Sequence, residues 1–266
     1  MIETQNDRRG KPAGEVRWTN TVVGWSKIAA QLASVVFLVL LAKGALAEPF
    51  YVPSGSMEPT LMIGDALVAT KFPYGYGMAS LPLPFSVPVT PRVFGALPER
   101  GDVVVFRWPG DSAQTWVKRV IGLPGDRIAL DDGRVFINGV AASIRPDGVG
   151  DVEDDGGGYV KAARLIETLP GGRTHEIFKM RDEGKLDNMP EIVVPPGHLF
   201  VMGDNRDNSA DSRVPLAEGG VGLLSVDNLV GRVDAIAASW DMGIKSRPVW
   251  DWLSGLRFAR FFTPVH

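Results

Sequence analysis

Between residues 65 and 240 the apolar residues fall in short runs of valine, isoleucine and aromatics, each closed by glycine or proline. This pattern constrains the fold more than anything else in the chain. Such residues suit a pleated, half-buried surface. Val103-Val104-Val105-Phe106-Arg107-Trp108 stops at Pro109-Gly110, and residues 116–121 stop at Leu123-Pro124-Gly125-Asp126. Residues 127–130 and 135–138 flank Asp131-Asp132-Gly133, a hairpin turn. Residues 199–202 and 229–240 supply further strands. Strands never alternate with helical periods, which argues against a Rossmann or α/β-barrel fold, and a mostly β chain is expected. Two stretches read as insertions. Residues 73–98 are rich in proline, glycine and valine and read as an extended loop or ribbon. Residues 141–195 contain the acidic, glycine-rich run Asp151 to Gly158.

Ahead of the β pattern lies an apolar segment over residues 21–47, densest from Ile28 to Ala42. A membrane helix needs ~20 residues; Lys43 can snorkel to the interface, and Trp25 suits the opposite one. Arg8, Arg9, Lys11, Arg17 and Lys27 outnumber Glu3, Asp7 and Glu15 ahead of its densest part, which puts residues 1–20 in the cytoplasm and everything beyond residue 48 across the membrane. The same stretch ends in Ala45-Leu46-Ala47 and so also fits a cleavable secretory signal. Pro49, two residues past that cut, disfavours cleavage, and a retained anchor is the reading taken here.

Chemistry concentrates in three blocks. The first is Pro53-Ser54-Gly55-Ser56-Met57-Glu58-Pro59, a tight turn carrying Ser56. A serine needs a base to remove its proton, and the three histidines, His175, His198 and His266, stand in no motif-like setting. The second block, Trp116-Val117-Lys118-Arg119-Val120-Ile121-Gly122, offers Lys118. Strand alternation puts Lys118 on one face with Trp116 and Val120 and turns Arg119 to the other. Apolar surroundings disfavour the ammonium form and bring a lysine pKa from ~10.4 toward the ~7–8 useful to a base. The third block is Gly203-Asp204-Asn205-Arg206-Asp207-Asn208-Ser209-Ala210-Asp211-Ser212-Arg213.

These blocks, in this order behind a membrane segment, resemble the bacterial type I (leader) signal peptidases over roughly residues 24–240. The resemblance implies a serine endopeptidase with a Ser/Lys dyad, Ser56 as nucleophile and Lys118 as base. It implies an oxyanion hole from the Ser54 hydroxyl and the Ser56 backbone N–H, Ser209 hydrogen-bonded to the lysine, and Asp211 with Arg213 as a supporting ion pair. Phe50, Val52, Pro53 and Val117 match positions that line shallow pockets for small side chains, so cutting after small-x-small (Ala-x-Ala) sites is implied. The expected organisation is a catalytic β domain in two parts, residues 48–140 and 196–243, with a smaller accessory β region inserted at 141–195. One transmembrane helix precedes it and an aromatic, basic tail, 244–266, follows.

The implied partners are exported preproteins bearing signal peptides and the lipid bilayer of the cytoplasmic (inner) membrane, with the catalytic domain on the periplasmic or extracytoplasmic side and the chain acting as a monomer. A net charge of -3 with no dominant Lys/Arg stripe argues against nucleic acid. No cofactor is expected. With no cysteine, thiolate metal sites are excluded. Asp207, Ser209, Asp211 and Glu218 share spacing with a calcium loop, but Ser212 stands where glycine is needed. His175-Glu176 lacks the second histidine of a zinc peptidase, Lys179 standing there. A LexA-like dyad protein would be soluble and carry a DNA-binding domain. A tethered binding protein without catalysis would have no need of Ser56 and Lys118. The tail, residues 250–262, suits either lipid headgroups or the protein's own core.

Overall fold

The computed structural model describes residues 19–81, 88, 90–153, 159–246 and 248–266. Arg8, Arg9, Lys11 and Arg17, part of the loop over 73–98, and residues 154–158 of the acidic run lie outside them. The chain divides into two compact units, residues 1–41 and 42–266.

In the first unit the helix Thr19–Ala45, 27 residues long and continuing into the second, follows from a run with no proline and with alanine and leucine through its second half. Every side chain described on it, residues 25–36, 38 and 39, is exposed, including Ile28, Leu32, Val35, Val36, Leu38 and Val39. Ser34 turns its hydroxyl back onto the Ala30 carbonyl at 2.8 Å. Among the described residues no helix is long and apolar enough to cross a membrane.

The second unit is mostly β. Its largest sheet runs, from one edge to the other, Ala47–Tyr51, Asp65–Thr70, Leu229–Ser239, Val103–Trp108, Asp111–Gly122, His198–Met202 and Leu224–Ser225, with Thr263–Pro264 added to Leu229–Ser239. Its pairings are antiparallel. Val103, Val105, Leu67, Val230, Val233 and Ile236 pack beneath the Ser56 turn with Met57 and Leu61. Val104, Phe106, Val120, Leu199 and Val201 form a second core.

A four-stranded sheet, Met189–Val193, Arg127–Asp131, Arg134–Ile137 and Val140–Ala141, joins through a third core of Ile121, Ile128, Ile137, Phe200 and Met202. The expected hairpin is present: Asp131 pairs with Arg134, and Asp132 and Gly133 both take positive φ, 49° and 73°, as a two-residue type I′ turn requires. A three-stranded antiparallel sheet, Ser143–Glu153, Tyr159–Thr168 and Thr174–Lys179, occupies most of the 141–195 stretch.

The loop after residue 71 holds two short 3-10 turns, Phe72–Tyr74 and Met78–Ser80, with a bridge from Tyr76 to Val93. The tail lies on the largest sheet: Arg260 reaches Asp65 at 2.6 Å and Arg257 reaches the Ile63 carbonyl at 2.9 Å. Trp250, Leu253, Phe258 and Phe262 nevertheless stay exposed.

Candidate active site

The edge strand Ala47–Tyr51 delivers the chain to the first block. Val52 is pinned between the Asp65 carbonyl, to which it donates at 2.9 Å, and the Gly64 N–H, which it accepts at 3.0 Å. Ser54 is extended and exposed, and Gly55–Met57 then closes a 3-10 turn. The chain reverses sharply here, holding the Ser56 side chain half-buried over Met57 and Leu61, which are fully inside.

Lys118 comes from the strand Asp111–Gly122, where it pairs with Val104 of Val103–Trp108. Its Nζ lies 2.8 Å from Ser56 Oγ and 2.9 Å from the Val117 carbonyl. The centre of the Trp116 ring is 5.6 Å away, and Trp116 is itself stacked on Trp108 at 5.0 Å. Lys118 is only 4 % exposed. Burial pulls its pKa down to about 8, against Asp211 and Asp204, which favour the charged form from farther off; Arg213 adds to the lowering. A lysine so placed is neutral in about a tenth of molecules at pH 7, far more than an ordinary lysine, and in that form can take the proton of the hydroxyl it touches.

The third block lies against the back of the Ser56 turn. Asn205 donates its backbone N–H to the Ser56 carbonyl and its Nδ2 to the Gly55 carbonyl, both at 3.2 Å. Approach is so close that a Cβ on Gly203 would fall 2.4 Å from the Ser56 carbonyl oxygen, so no larger residue fits. Arg213 forks onto Asp211 at 2.8 and 2.9 Å, and Asp211 also accepts the Gly203 N–H at 2.9 Å. Burial alone would raise the Asp211 pKa, but Arg213 and these donors hold it below the usual carboxylate range.

On the far side of the lysine strand is a buried ionic layer. Arg119, fully buried, forks onto Asp204 with two contacts of 2.8 Å and donates to the Gly101 and His266 carbonyls at 2.7 and 2.8 Å. Asp204 takes the Thr60 hydroxyl at 2.5 Å. His175 Nε2 lies 3.2 Å from Glu167, which Arg206 grips with both guanidinium ends. Burial and the nearby Arg119 lower the His175 pKa, against Glu167 and Asp204, and so disfavour its charged form.

The profile of the family described as "Signal peptidase, peptidase S26" matches residues 25–239. The chain is 37% identical over 257 residues to the signal peptidase I of Rickettsia typhi, spanning 89% of this chain and 92% of that one. It is 36% identical over 268 residues to that of Rickettsia canadensis, spanning 93% and 96%. The chain belongs to the signal peptidase I family. It is therefore a hydrolase, a serine peptidase. A solved signal peptidase I from Enterococcus faecalis V583 is 26% identical, covering 52% of this chain and 97% of that one at a TM-score of 0.30, too low to inform the fold.

Against the residues expected for a signal peptidase, the structure joins Ser56 to Lys118 and Asp211 to Arg213. Ser209 is different. It is buried, but its Oγ makes no hydrogen bond among the described residues, so the expected bond to Lys118 is not formed. Its side chain packs instead against Gly203, where a Cβ would sit 2.3 Å from Oγ.

A cleft of about 490 Å³ opens at Ser56, lined by Val52, Pro53, Ser54, Met57 and Leu61 on one wall and by Gln114 to Lys118 on the other. Phe50 does not reach it and packs into the core beneath; Tyr51 lines the cleft instead. The register of the edge strand decides this, because Phe50 pairs with Leu67 over the core. Asp207, a candidate calcium ligand by spacing, faces Lys179 at 3.0 Å and the backbone N–H groups of Met180 and Arg181.

Sequence reasoning missed Asn205, which lies in the third block but has no chemistry of its own. It also missed Arg119, Asp204, Thr60, His175 and Glu167. Arg119 had a signal, since a charged residue in the middle of a β-branched run needs a buried partner.

Proposed function

We propose that this enzyme removes N-terminal signal peptides from exported preproteins by Ser/Lys chemistry, cutting after small-x-small sites. The observation that carries the reading is the 2.8 Å contact between Ser56 Oγ and a buried Lys118 Nζ whose pKa is depressed to about 8. In its neutral form Lys118 accepts the hydroxyl proton as Oγ attacks the scissile carbonyl carbon. It then returns that proton to the leaving amine, and water, activated in turn by the same lysine, releases the acyl group. Negative charge on the carbonyl oxygen would be met by the Ser56 N–H and the Ser54 hydroxyl, a type of contact worth ~3–4 kcal/mol. Asp211 and Arg213 would brace the third block, and Asn205 would hold the Ser56 turn. Neither cofactor nor metal enters this chemistry.

Specificity follows from the cleft walls. Val52 and Val117 line the cleft together with Trp116, Met57 and Leu61, an apolar lining that suits small side chains in an extended substrate. Overpacking such a site costs ~1–3 kcal/mol, and misplacing the carbonyl costs further rate.

The helix Thr19–Ala45 is read as a single-pass anchor in the cytoplasmic membrane, with the catalytic unit of a monomer on the outer side. A helix with exposed valine, leucine and isoleucine and a self-satisfied serine supports this.

The test is cleavage of a preprotein in detergent with P1 varied through Ala, Gly, Ser, Val, Leu and Phe, the cut located by mass. Ala, Gly and Ser should be cut and Leu and Phe blocked. Equal rates for Phe and Ala would refute the pocket, and cleavage by a folded Lys118→Ala protein would refute the dyad.

A further inference from the structure

The enzyme carries a small-x-small sequence of its own, Ala45-Leu46-Ala47, where the helix ends and the edge strand begins. Residues on both sides of the Ala47–Glu48 bond are held by one side chain and its own backbone. The Lys71 N–H donates to the Leu46 carbonyl at 3.0 Å. The Lys71 Nζ lies 2.8 Å from Glu48 Oε2 and also donates to the Ser80 carbonyl. Lys71 is fully buried and Glu48 is 15 % exposed. The bond itself belongs to the β ladder, Ala47 facing Thr70 and Glu48 facing Ala69.

A peptidase cleft takes its substrate as a free extended strand, and a strand already bonded into a folded sheet cannot enter a 490 Å³ cleft without leaving that sheet. Leaving it here would break the Lys71–Glu48 ion pair, one end of which is fully buried, and breaking such a pair is costly.

We propose that Ala45-Leu46-Ala47 is a latent processing site for this enzyme's own activity, kept shut by the Lys71 clasp and the edge-strand pairing. The proposal rests on the small-x-small reading above. The step it holds back is ordinary hydrolysis. Ser56 Oγ would bond to the Ala47 carbonyl carbon as the bond to the Glu48 nitrogen breaks. Lys118 would carry the serine proton to the departing amine, and one water would then cleave the ester. Cutting there would part the helix from the catalytic unit.

The test uses full-length chains in detergent as substrates, each carrying Ser56→Ala so that none cuts itself, with active wild-type enzyme added and a test preprotein in the same tube. Pro49 is an obstacle of its own, so the substrates also carry Pro49→Ala. A free peptide of residues 38–52 with Pro49→Ala should be cut after Ala47. The folded Pro49→Ala chain should stay intact. Adding Lys71→Met or Glu48→Gln should speed cutting at least about tenfold, because cleavage tracks the population of the opened form. Glu48→Gln, which leaves the Lys71 bonds to Leu46 and Ser80 in place, serves if Lys71→Met loses its cooperative melt.

Three results would overturn the proposal: an uncut peptide, a folded Pro49→Ala chain cut as fast as the peptide, or folded clasp variants that stay intact. Failure to cut the preprotein would instead remove the catalytic reading on which it stands.

Discussion

Lys118 and Arg119 are neighbours on one strand, both buried and both basic, yet their surroundings differ. Lys118 faces a serine hydroxyl, a carbonyl and a tryptophan ring, with no carboxylate in contact among the described residues. Arg119 is met by the two oxygens of Asp204 and by two carbonyls. Burial without a contacting counter-ion favours loss of the amine's proton, whereas the guanidinium is met by a forked, charge-assisted pair of hydrogen bonds. One face of the strand thus sets an amine against a hydroxyl, and the other ties the strand to Asp204 of the third block.

The largest test of this contrast is loss of the dyad. Ser56→Ala and Lys118→Ala should each lower kcat by about 10⁴-fold or more, as removal of a member of a unit that acts together does. Circular dichroism should show the fold retained. Lys118→Arg should be equally inactive because guanidinium keeps its proton.

Stability should divide the same two residues the other way. Arg119→Met leaves Asp204 buried and unpaired and should cost about 3–5 kcal/mol. Lys118→Met removes a buried amine with no contacting carboxylate, and its denaturation midpoint should equal or exceed that of the wild type. Equal losses for both in urea would erase the distinction between the two faces.

The pH profile sharpens it further. Only neutral Lys118 accepts the proton, so kcat/KM should rise with pH and level off above about 8, with a slope near tenfold per unit well below it. A rate flat from pH 6 to 9 would show that Lys118 is not the titrating base. Chelators should leave the rate unchanged, and inhibition reversed by added divalent metal would contradict the metal-free mechanism.

The smallest effect is expected at Ser209. Its buried hydroxyl makes no hydrogen bond among the described residues, so Ser209→Ala should leave the denaturation midpoint unchanged or slightly raised, because it removes a buried polar group without a partner. A large loss of activity with an unchanged melt would show that Ser209 engages Lys118 once substrate is bound.

Much of this was legible in the chain. The strands announced themselves through β-branched runs closed by glycine and proline, because local sterics decide those features. Ser56 and Lys118 were legible because few side chains can serve as nucleophile and base, and here each sits in a dense motif. The fate of Phe50 was not legible, since the pairing of Phe50 with Leu67 sets which of two adjacent aromatics faces the cleft. Nor was the state of Ser209, whose hydroxyl is set by packing against a glycine six residues earlier in the sequence.

The sequence alone thus determined the β character, the candidacy of Ser56 and Lys118 as nucleophile and base, and the apolar segment ahead of them, because these depend on residue type and local spacing. Tertiary structure decided that Lys118 would be poised and Arg119 paired, that His175 would be buried against Glu167, and that the Ala47–Glu48 bond would lie inside a ladder gripped by Lys71. Each of these depends on which distant groups share a low-dielectric interior, and such contacts form only when strands far apart in sequence come into register.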